Sequence, residues 1–498
     1  MNAPVSGTPT DRLIPLDVRL AFGLGQMAEG IKGFSFSLFA LFYYNSVLGL
    51  SASLAGAAMG IALLVDAVTD PLAGSISDRW RSKWGRRHPF MVLSALPLGL
   101  SFWGLFSPPQ GLSQLGLFAW LTIFAVATRT AMTACHVPHT ALGAELTSNF
   151  GERTRLVATR QVFGYLGLLV MTLAGFGYFF ADDRGGRANV EGYSPFGFSM
   201  GVIMVVTILI SAWGTRRQIP HLPVPPARAS EDEGIRRAFG ATLSASASAF
   251  QNGSFRRLFS GTLLMYIMIG TESALSLYMY DFFWGLGSQE IMYLSLMYPV
   301  GLIAGAGVTR RLHELWDKGP TLILGVSGWF FCQVTPVLLR LGDQMPPNGT
   351  ELLIGTLLGV RVVQGVLVQQ ALVSFSSMMA DIADEHELDT GLRQEGVFFG
   401  VVSFSGKAAS GAGSFCAGLA LEVIGWPAGA SAAGALAVPP ETIRALGIAY
   451  GPVVAVFALL ALFAYRGYDL DRERHAGILD ALSERHRQKI DSPRGPGL

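Results

Sequence analysis

Residues 63–90, LLVDAVTDPLAGSISDRWRSKWGRRHPF, join an apolar stretch to a strongly basic one. The first part belongs to an apolar run over 52–76 whose acidic residues are Asp66 and Asp70. A run of about 20 apolar residues is long enough to cross the hydrocarbon core as a helix. The second part carries basic residues of the kind that collect in cytoplasmic loops: Arg79, Arg81, Lys83, Arg86 and Arg87. The stretch therefore predicts a membrane-spanning helix followed by a cytoplasmic loop.

The composition extends this prediction to the whole chain. The 498 residues are 51% hydrophobic and 14% charged, with a mean hydropathy of +0.43, whereas soluble domains have about 25% charged residues. The net charge of +1 gives no indication of a nucleic-acid partner. Cys135, Cys332 and Cys416 all lie in apolar runs, so they read as packed side chains rather than as a disulfide or metal set. The N-terminal residues lack the apolar segment of a cleavable signal peptide.

Apolar runs separated by charge, Pro and Gly predict about twelve spans in an all-α membrane protein. They lie near 20–45, 52–76, 89–107, 113–138, 155–181, 196–214, 257–284, 289–309, 320–340, 352–379, 393–424 and 443–465. The polar segment between the sixth and seventh spans predicts a linker between two six-helix halves, an arrangement that resembles the major facilitator fold. The expected parts are an N-terminus at 1–19, halves at 20–214 and 255–466, a linker at 215–254 and a tail at 467–498.

Basic residues also predict the orientation of the chain. They are frequent in the second and fourth loops, the linker, the 310–318 loop and the tail, and sparse in the opposite loops. The positive-inside rule then places both termini on the cytoplasmic side of a bacterial-type inner membrane.

Asp66 and Asp70 are the sharpest candidate site. Four residues apart on a helix, they lie on one face, one turn apart. Two such carboxylates repel each other unless a cation, a proton or a basic side chain lies close to them. Thr69 could supply a further oxygen, and Pro71 could loosen the local backbone bonding. Two interpretations stay open: a coupling site for Na⁺ or H⁺, or pairing with Arg or Lys from a neighbouring helix.

A polar stripe marks the fourth span, where Arg129, Thr133, His136 and Thr140 follow at intervals of four, three and four residues. Residues at this spacing share one helix face. In a spanning helix such a face is expected to line a cavity rather than lipid. Thr133 could donate an oxygen to a cation. His136 could bind a solute, or it could satisfy a backbone carbonyl.

Further charges lie in other predicted spans. Glu29 and Lys32 in the first span are close enough to form a local bridge, or they could act as a gate residue and its partner. Lys407 in the eleventh span has no acid nearby in its own helix, and Asp66 or Asp70 is the natural candidate to neutralise it. In the loops, Asp78, Arg79, Arg86 and Arg87, together with Asp384 and Arg393, are predicted to form a cytoplasmic gate of charge pairs.

Several motifs carry a family resemblance over about residues 17–465. The 74–90 loop resembles the basic loop of major facilitator proteins, and DAVTDPLAG (66–74) is similar to the second helix of the glycoside–pentoside–hexuronide:cation symporter family. VPHTALGAELT (137–147), GERTRLVATRQVFG (151–164) and MMADIADEHELDTGLRQEGVFFG (378–400) are similar to that family's fourth helix, fifth-helix entrance and tenth-to-eleventh loop.

The resemblance implies roles for matching residues. Asp66 and Asp70 would bind the cation, with Thr69 and Thr133 as supporting oxygens. Arg160 would take the place of a sugar-contacting arginine, and Lys407 that of a lysine beside the cation site.

The chain also departs from the family. Glu29–Gly30 stand where the family's best-known member has a Lys–Asp pair. His136 replaces an aspartate, and Thr140 replaces a tryptophan. The galactoside-binding set is therefore largely absent.

These observations together predict a secondary transporter that couples Na⁺ or H⁺ to a sugar, glycoside or uronide-like solute by alternating access. The alternative cargo is a lysophospholipid or another amphipathic solute. The candidate substrate residues are Glu29, Lys32, Arg129, His136, Thr140, Arg160 and Lys407. We expect no enzymatic activity, no nucleic-acid partner and no cofactor or metal beyond the coupling cation, and we expect the protein to function as a monomer in the lipid bilayer.

Overall fold

A computed structural model describes residues 13–147, 149–222, 249–391, 395–433 and 438–491, and helices dominate these ranges. The first helices are α1 (Leu16–Ser35), α2 (Ala52–Arg79), α3 (His88–Leu105), α4 (Gln114–Glu145), α5 (Phe150–Ala174) and α6 (Tyr193–Thr215). They are followed by α7 (Gly253–Tyr278), α8 (Ser288–Trp316), α9 (Lys318–Leu341), α10 (Glu351–Thr390) and α11 (Glu395–Val423). The last are α12 (Pro440–Ile448), α13 (Val454–Tyr465) and α14 (Arg472–Asp491). The predicted all-α fold class is confirmed.

Within the described ranges, 10 helices are long and apolar enough to cross a membrane. Each matches one of the predicted spans. The other two predicted spans, 20–45 and 393–424, also fold as helices, α1 and α11. Glu29 and Lys32 are charged residues within α1, and Gly411–Val423 forms a shorter apolar stretch in α11.

Helix ends differ from the predicted span ends because a helix continues past its apolar run. The fourth span was expected to end near residue 138, but α4 passes Pro138 and ends at Glu145. Five-residue π-helical turns prolong α1, α5 and α7 at Phe36–Ala40, Gly175–Phe179 and Met279–Phe283, and Ala449–Val453 joins α12 to α13. Hydropathy marks the apolar run rather than the backbone geometry, so it predicts neither the end of α4 nor the π-helical turns, although these turns lie within predicted spans.

The chain forms two compact units. The first contains the described residues of Met1–Arg236, Gly270–Tyr293 and Gly411–Leu446. Its helices α1 and α5 cross closely at glycines: a Cβ added at Gly30 would lie 2.3 Å from the carbonyl oxygen of Gly164, and one at Gly167 would lie 2.5 Å from that of Met27. Small residues permit such close approach of membrane helices.

The second unit contains the described residues of Arg237–Ile269, Leu294–Ser410 and Gly447–Leu498. Here the tail helix α14 packs along the end of α10 through charge pairs. Arg474 contacts Glu385 at 2.7 Å, and His475 contacts Asp384 at 3.0 Å. The tail forms a helix over Arg472–Asp491. The division into halves at 20–214 and 255–466 stays a prediction.

Candidate cation and solute site

The two aspartates of α2 meet the polar stripe of α4 in the first unit. Asp66 is buried, and its Oδ2 accepts a 2.6 Å charge-assisted bond from a terminal nitrogen of Arg129. The buried hydroxyl of Thr133 donates to Oδ1 of Asp70 at 2.7 Å and lies 3.4 Å from Oδ1 of Asp66. One hydroxyl thus lies between two carboxylates that are one helical turn apart. Two carboxylates, one guanidinium and one neutral hydroxyl therefore converge at this point.

Thr69 does not point its hydroxyl into this cluster. Its Oγ1 donates to the backbone carbonyl of Asp66, at 3.4 Å within the same helix. A threonine in a helix often bonds back to its own turn in this way. Pro71 lies inside α2 and does not end it. Thr133, rather than Thr69, therefore brings its hydroxyl to the two carboxylates.

Arg129 is largely buried, with 12% of its side chain exposed. Its guanidinium carbon lies 5.4 Å from the centre of the Phe36 ring, a distance at which the ring attracts a cation. Its Nε is buried and has no hydrogen-bond partner among the described residues. Pairing with a basic side chain from a neighbouring helix, one of the two interpretations of the aspartates, is thus observed between Asp66 and Arg129.

The two histidines of α4 have different environments. His136 is half-buried, and its Nε2 lies 3.2 Å from the amide oxygen of Gln26 on α1. His139 is 1% exposed, bonds the carbonyl oxygen of Phe22 at 2.8 Å and stacks on the Phe22 ring. His139 is thus part of the packing between α1 and α4. His136 contacts a polar side chain, and Thr140 further along the stripe is exposed.

The charges of α1 pair locally, since the Lys32 amine lies 2.9 Å from Glu29 Oε1. Next to them, Gly30 packs against the backbone of Gly164 on α5. An aspartate at this position, as the family resemblance would suggest, has no room for its Cβ. The departure from the family therefore follows from the close crossing of α1 and α5.

Two more predicted solute residues lie elsewhere. Arg160 is half-buried on α5, and its Nε is buried without a hydrogen-bond partner in the described part of the chain. Lys407 belongs to α11, but its side chain lies outside the described residues. The predicted contact of Lys407 with the aspartates therefore stays a prediction.

The predicted gate residues of the first unit form a compact network. Arg87 is 3% exposed; it pairs with Asp78, donates to the Ser77 hydroxyl at 2.7 Å and contacts Glu145 at 2.6 Å. Arg86 also binds Glu145, at 2.8 Å. The network ties the loop after α2 to the end of α4. Arg79 ends α2 and is exposed.

The predicted partners from the second unit are placed differently. Asp384 contacts His475 of the tail helix, at 3.0 Å. Arg393 lies outside the described residues. The structure thus gives Asp384 a partner in the tail that the sequence analysis did not predict.

Two further charged residues, one at a helix end and one in a loop, form ion pairs that the sequence did not predict. Glu145 was recognised only as part of a family motif, yet it binds two arginines. Arg187, between α5 and α6, is 6% exposed and binds Asp281 at 2.5 Å and the Ser288 hydroxyl at 2.7 Å. In the sequence, Arg187 is a charged residue in a short loop, and this alone does not predict which residue it pairs with.

Comparison with known proteins identifies the family. The profile of the family described as MFS/sugar transport protein matches residues 21–472. The chain belongs to this family. As a member it is a multi-pass membrane transporter, and neither its family nor its fold is that of an enzyme.

Individual MFS relatives are distant but cover almost the whole chain. The inner membrane symporter YicJ of Escherichia coli (strain K12) is 25% identical, over 94% of this chain and 95% of the relative. The isoprimeverose transporter of Lactiplantibacillus pentosus is 22% identical, over 96% of this chain and 93% of the relative. The crystal structure of a D-xylose-proton symporter matches with a TM-score of 0.62 at 12% identity, over 91% of this chain and 97% of that one. This last likeness shows the major facilitator fold.

Proposed function

We propose that this protein is a cation-coupled symporter for a sugar, glycoside or uronide in the bacterial inner membrane, with both termini in the cytoplasm. The observation that carries the proposal is the buried Thr133 hydroxyl between the carboxylates of Asp66 and Asp70. Relatives that are named symporters, one of them an inner membrane protein, support it.

The chemistry of coupling follows from these oxygens. Two carboxylates on one helix face form an anionic pair whose repulsion a bound cation relieves. Hard cations prefer oxygen ligands, and the Thr133 hydroxyl supplies a third oxygen beside the pair. A monovalent cation held here would stabilise one arrangement of α2 and α4. In a coupled carrier that stabilisation raises the affinity for the solute, and the solute raises the affinity for the cation to the same degree.

The solute side rests on fewer observations. Glu29, Lys32, Arg129, His136 and Arg160 provide mostly basic groups on α1, α4 and α5, and Thr140 and Lys407 are further candidates. Arginine pairs well with carboxylates, so we expect an anionic sugar such as a uronide to be preferred over a neutral galactoside. Gly30 supports this preference, because it stands where the family's best-known member has a carboxylate that could hold sugar hydroxyls, and the packing leaves no room for a side chain there.

Alternating access requires a barrier that opens and closes. We assign the cytoplasmic gate to Asp78, Arg79, Arg86, Arg87, Asp384 and Arg393. The pairs that Arg86 and Arg87 make with Glu145 would hold the loop after α2 rigid during this motion. The monomer would contain all of these parts.

The test is uptake into proteoliposomes under an imposed Na⁺ or proton gradient, with a panel of neutral sugars, uronides and a lysophospholipid. We expect gradient-driven uptake of a sugar or uronide that is lost in Asp66→Asn/Asp70→Asn and reduced in Thr133→Val. Asp183→Asn, at an exposed loop residue, is the matched control and should transport normally. Unchanged gradient-driven uptake in the double variant would refute the assigned cation site. Uptake of the lysophospholipid alone would show the amphipathic cargo instead.

A further inference from the structure

Arg129 occupies part of the site that the proposed function gives to the cation. Its terminal nitrogen lies 2.6 Å from Oδ2 of Asp66, and both side chains are about nine-tenths buried. A guanidinium at this distance neutralises the carboxylate as a bound cation would. One of the two aspartates therefore already has a positive partner that belongs to the protein.

The way in which Arg129 is held favours exchange over permanent pairing. Arginine–carboxylate pairs are frequently bidentate, with two parallel bonds that fix the geometry. Here the hydrogen bond to Asp66 comes from a single terminal nitrogen, and the buried Nε has no hydrogen-bond partner among the described residues. The ring of Phe36 offers the guanidinium a second, non-ionic contact at 5.4 Å. An incompletely satisfied buried charge is costly. Movement of the Arg129 guanidinium to a place where all its nitrogens have partners would therefore lower the free energy of the protein.

We propose that Arg129 is an internal competitor of the coupling cation. It holds Oδ2 of Asp66 while the site is empty, and its positive charge opposes a cation that contacts both aspartates until the guanidinium moves away. The inference rests on the proposed function, since it assumes that Asp66 and Asp70 bind the cation. Its consequence is that Arg129 lowers the affinity of the site for the cation, and cation binding is therefore linked to movement of a side chain on α4.

The experiment measures Na⁺ binding to the purified full-length protein as stabilisation against heat, with choline chloride as the ionic-strength control. Arg129→Gln should reach half-maximal stabilisation at a Na⁺ concentration at least about tenfold lower than the wild type, which corresponds to about 1.4 kcal/mol. Arg129→Lys keeps the positive charge and should stay close to the wild type. Arg361→Gln, which removes a spanning arginine that bonds Gln364 at 2.6 Å on α10, should also leave Na⁺ binding unchanged.

Two results would overturn the inference about Arg129. Na⁺ binding to Arg129→Gln that is equal to or weaker than that of the wild type overturns the inference, including the case in which neither protein responds to Na⁺. A gain in affinity that persists in Asp66→Asn/Arg129→Gln also overturns it, because the competition would then not involve Asp66. If Arg129→Gln does not fold, Arg129→Met keeps the apolar stem and takes its place. Gradient-driven uptake by the wild type is a separate measurement, so the proposed symport can stand when this inference fails.

Discussion

The glycine crossing between α1 and α5 gives a prediction that the structure makes quantitative. A Cβ at Gly30 would lie 2.3 Å from the carbonyl oxygen of Gly164, whereas one at Gly33 in the same helix meets nothing within 4 Å. Ordinary contact begins near 3.4 Å, so Gly30→Ala must move two backbones apart by about 1 Å. Overpacking of this kind costs about 1–3 kcal/mol.

Gly33→Ala is the matched control for this cost. Both substitutions gain the same helix propensity, about 1 kcal/mol for Ala over Gly, so the difference between the two variants isolates the steric term. At roughly 2 °C per kcal/mol, Gly30→Ala should melt about 2–6 °C below Gly33→Ala in detergent, followed by intrinsic tryptophan fluorescence. Equal melting temperatures would refute the close crossing and with it the explanation for the missing aspartate at this position.

Two further substitutions test the charge networks of the first unit. Glu145→Gln should lower the melting temperature, because it leaves the buried Arg87 and its neighbour Arg86 without a shared carboxylate, a change that costs about 3–5 kcal/mol for a buried pair; an unchanged melting temperature would contradict the network. Arg187→Gln should destabilise the protein by a similar amount, about 3 kcal/mol, and should speed hydrogen exchange around residues 182–193 and 281–288. Faster exchange confined to other segments would show that the contact between Arg187 and Asp281 does not hold this region.

Much of the fold could be predicted from the sequence because its signals are local. Ten of the predicted spans match helices that are apolar enough to cross a membrane, since hydropathy over about 20 residues needs no knowledge of neighbours. The shared face of Asp66 and Asp70, and the stripe from Arg129 to Thr140, follow from helical periodicity alone. The local pair of Glu29 and Lys32 was also expected from their spacing, and it is present at 2.9 Å.

The partners of these groups could not be predicted, because they come from helices far apart in the chain. Thr69 and Thr133 were equivalent oxygens in the sequence, yet Thr69 bonds its own helix and Thr133 bonds the aspartates. His136 contacts Gln26, a residue that no motif singled out. Chain spacing fixes which residues share a helix face, but the rotation and separation of two packed helices determine which faces meet.

The sequence by itself determined that this protein spans the membrane many times and carries two carboxylates on one buried helix face, since both properties follow from hydropathy and from 3.6 residues per turn. Tertiary structure decided that Arg129 neutralises Asp66, that Thr133 lies between the two carboxylates, and that the crossing of α1 and α5 leaves no room for a side chain at Gly30. The physical reason is that the net charge of a site is the sum of the charges on the groups that packing brings together. Packing depends on distances of a few ångströms between helices that are far apart in the chain, and no single segment of the sequence determines those distances.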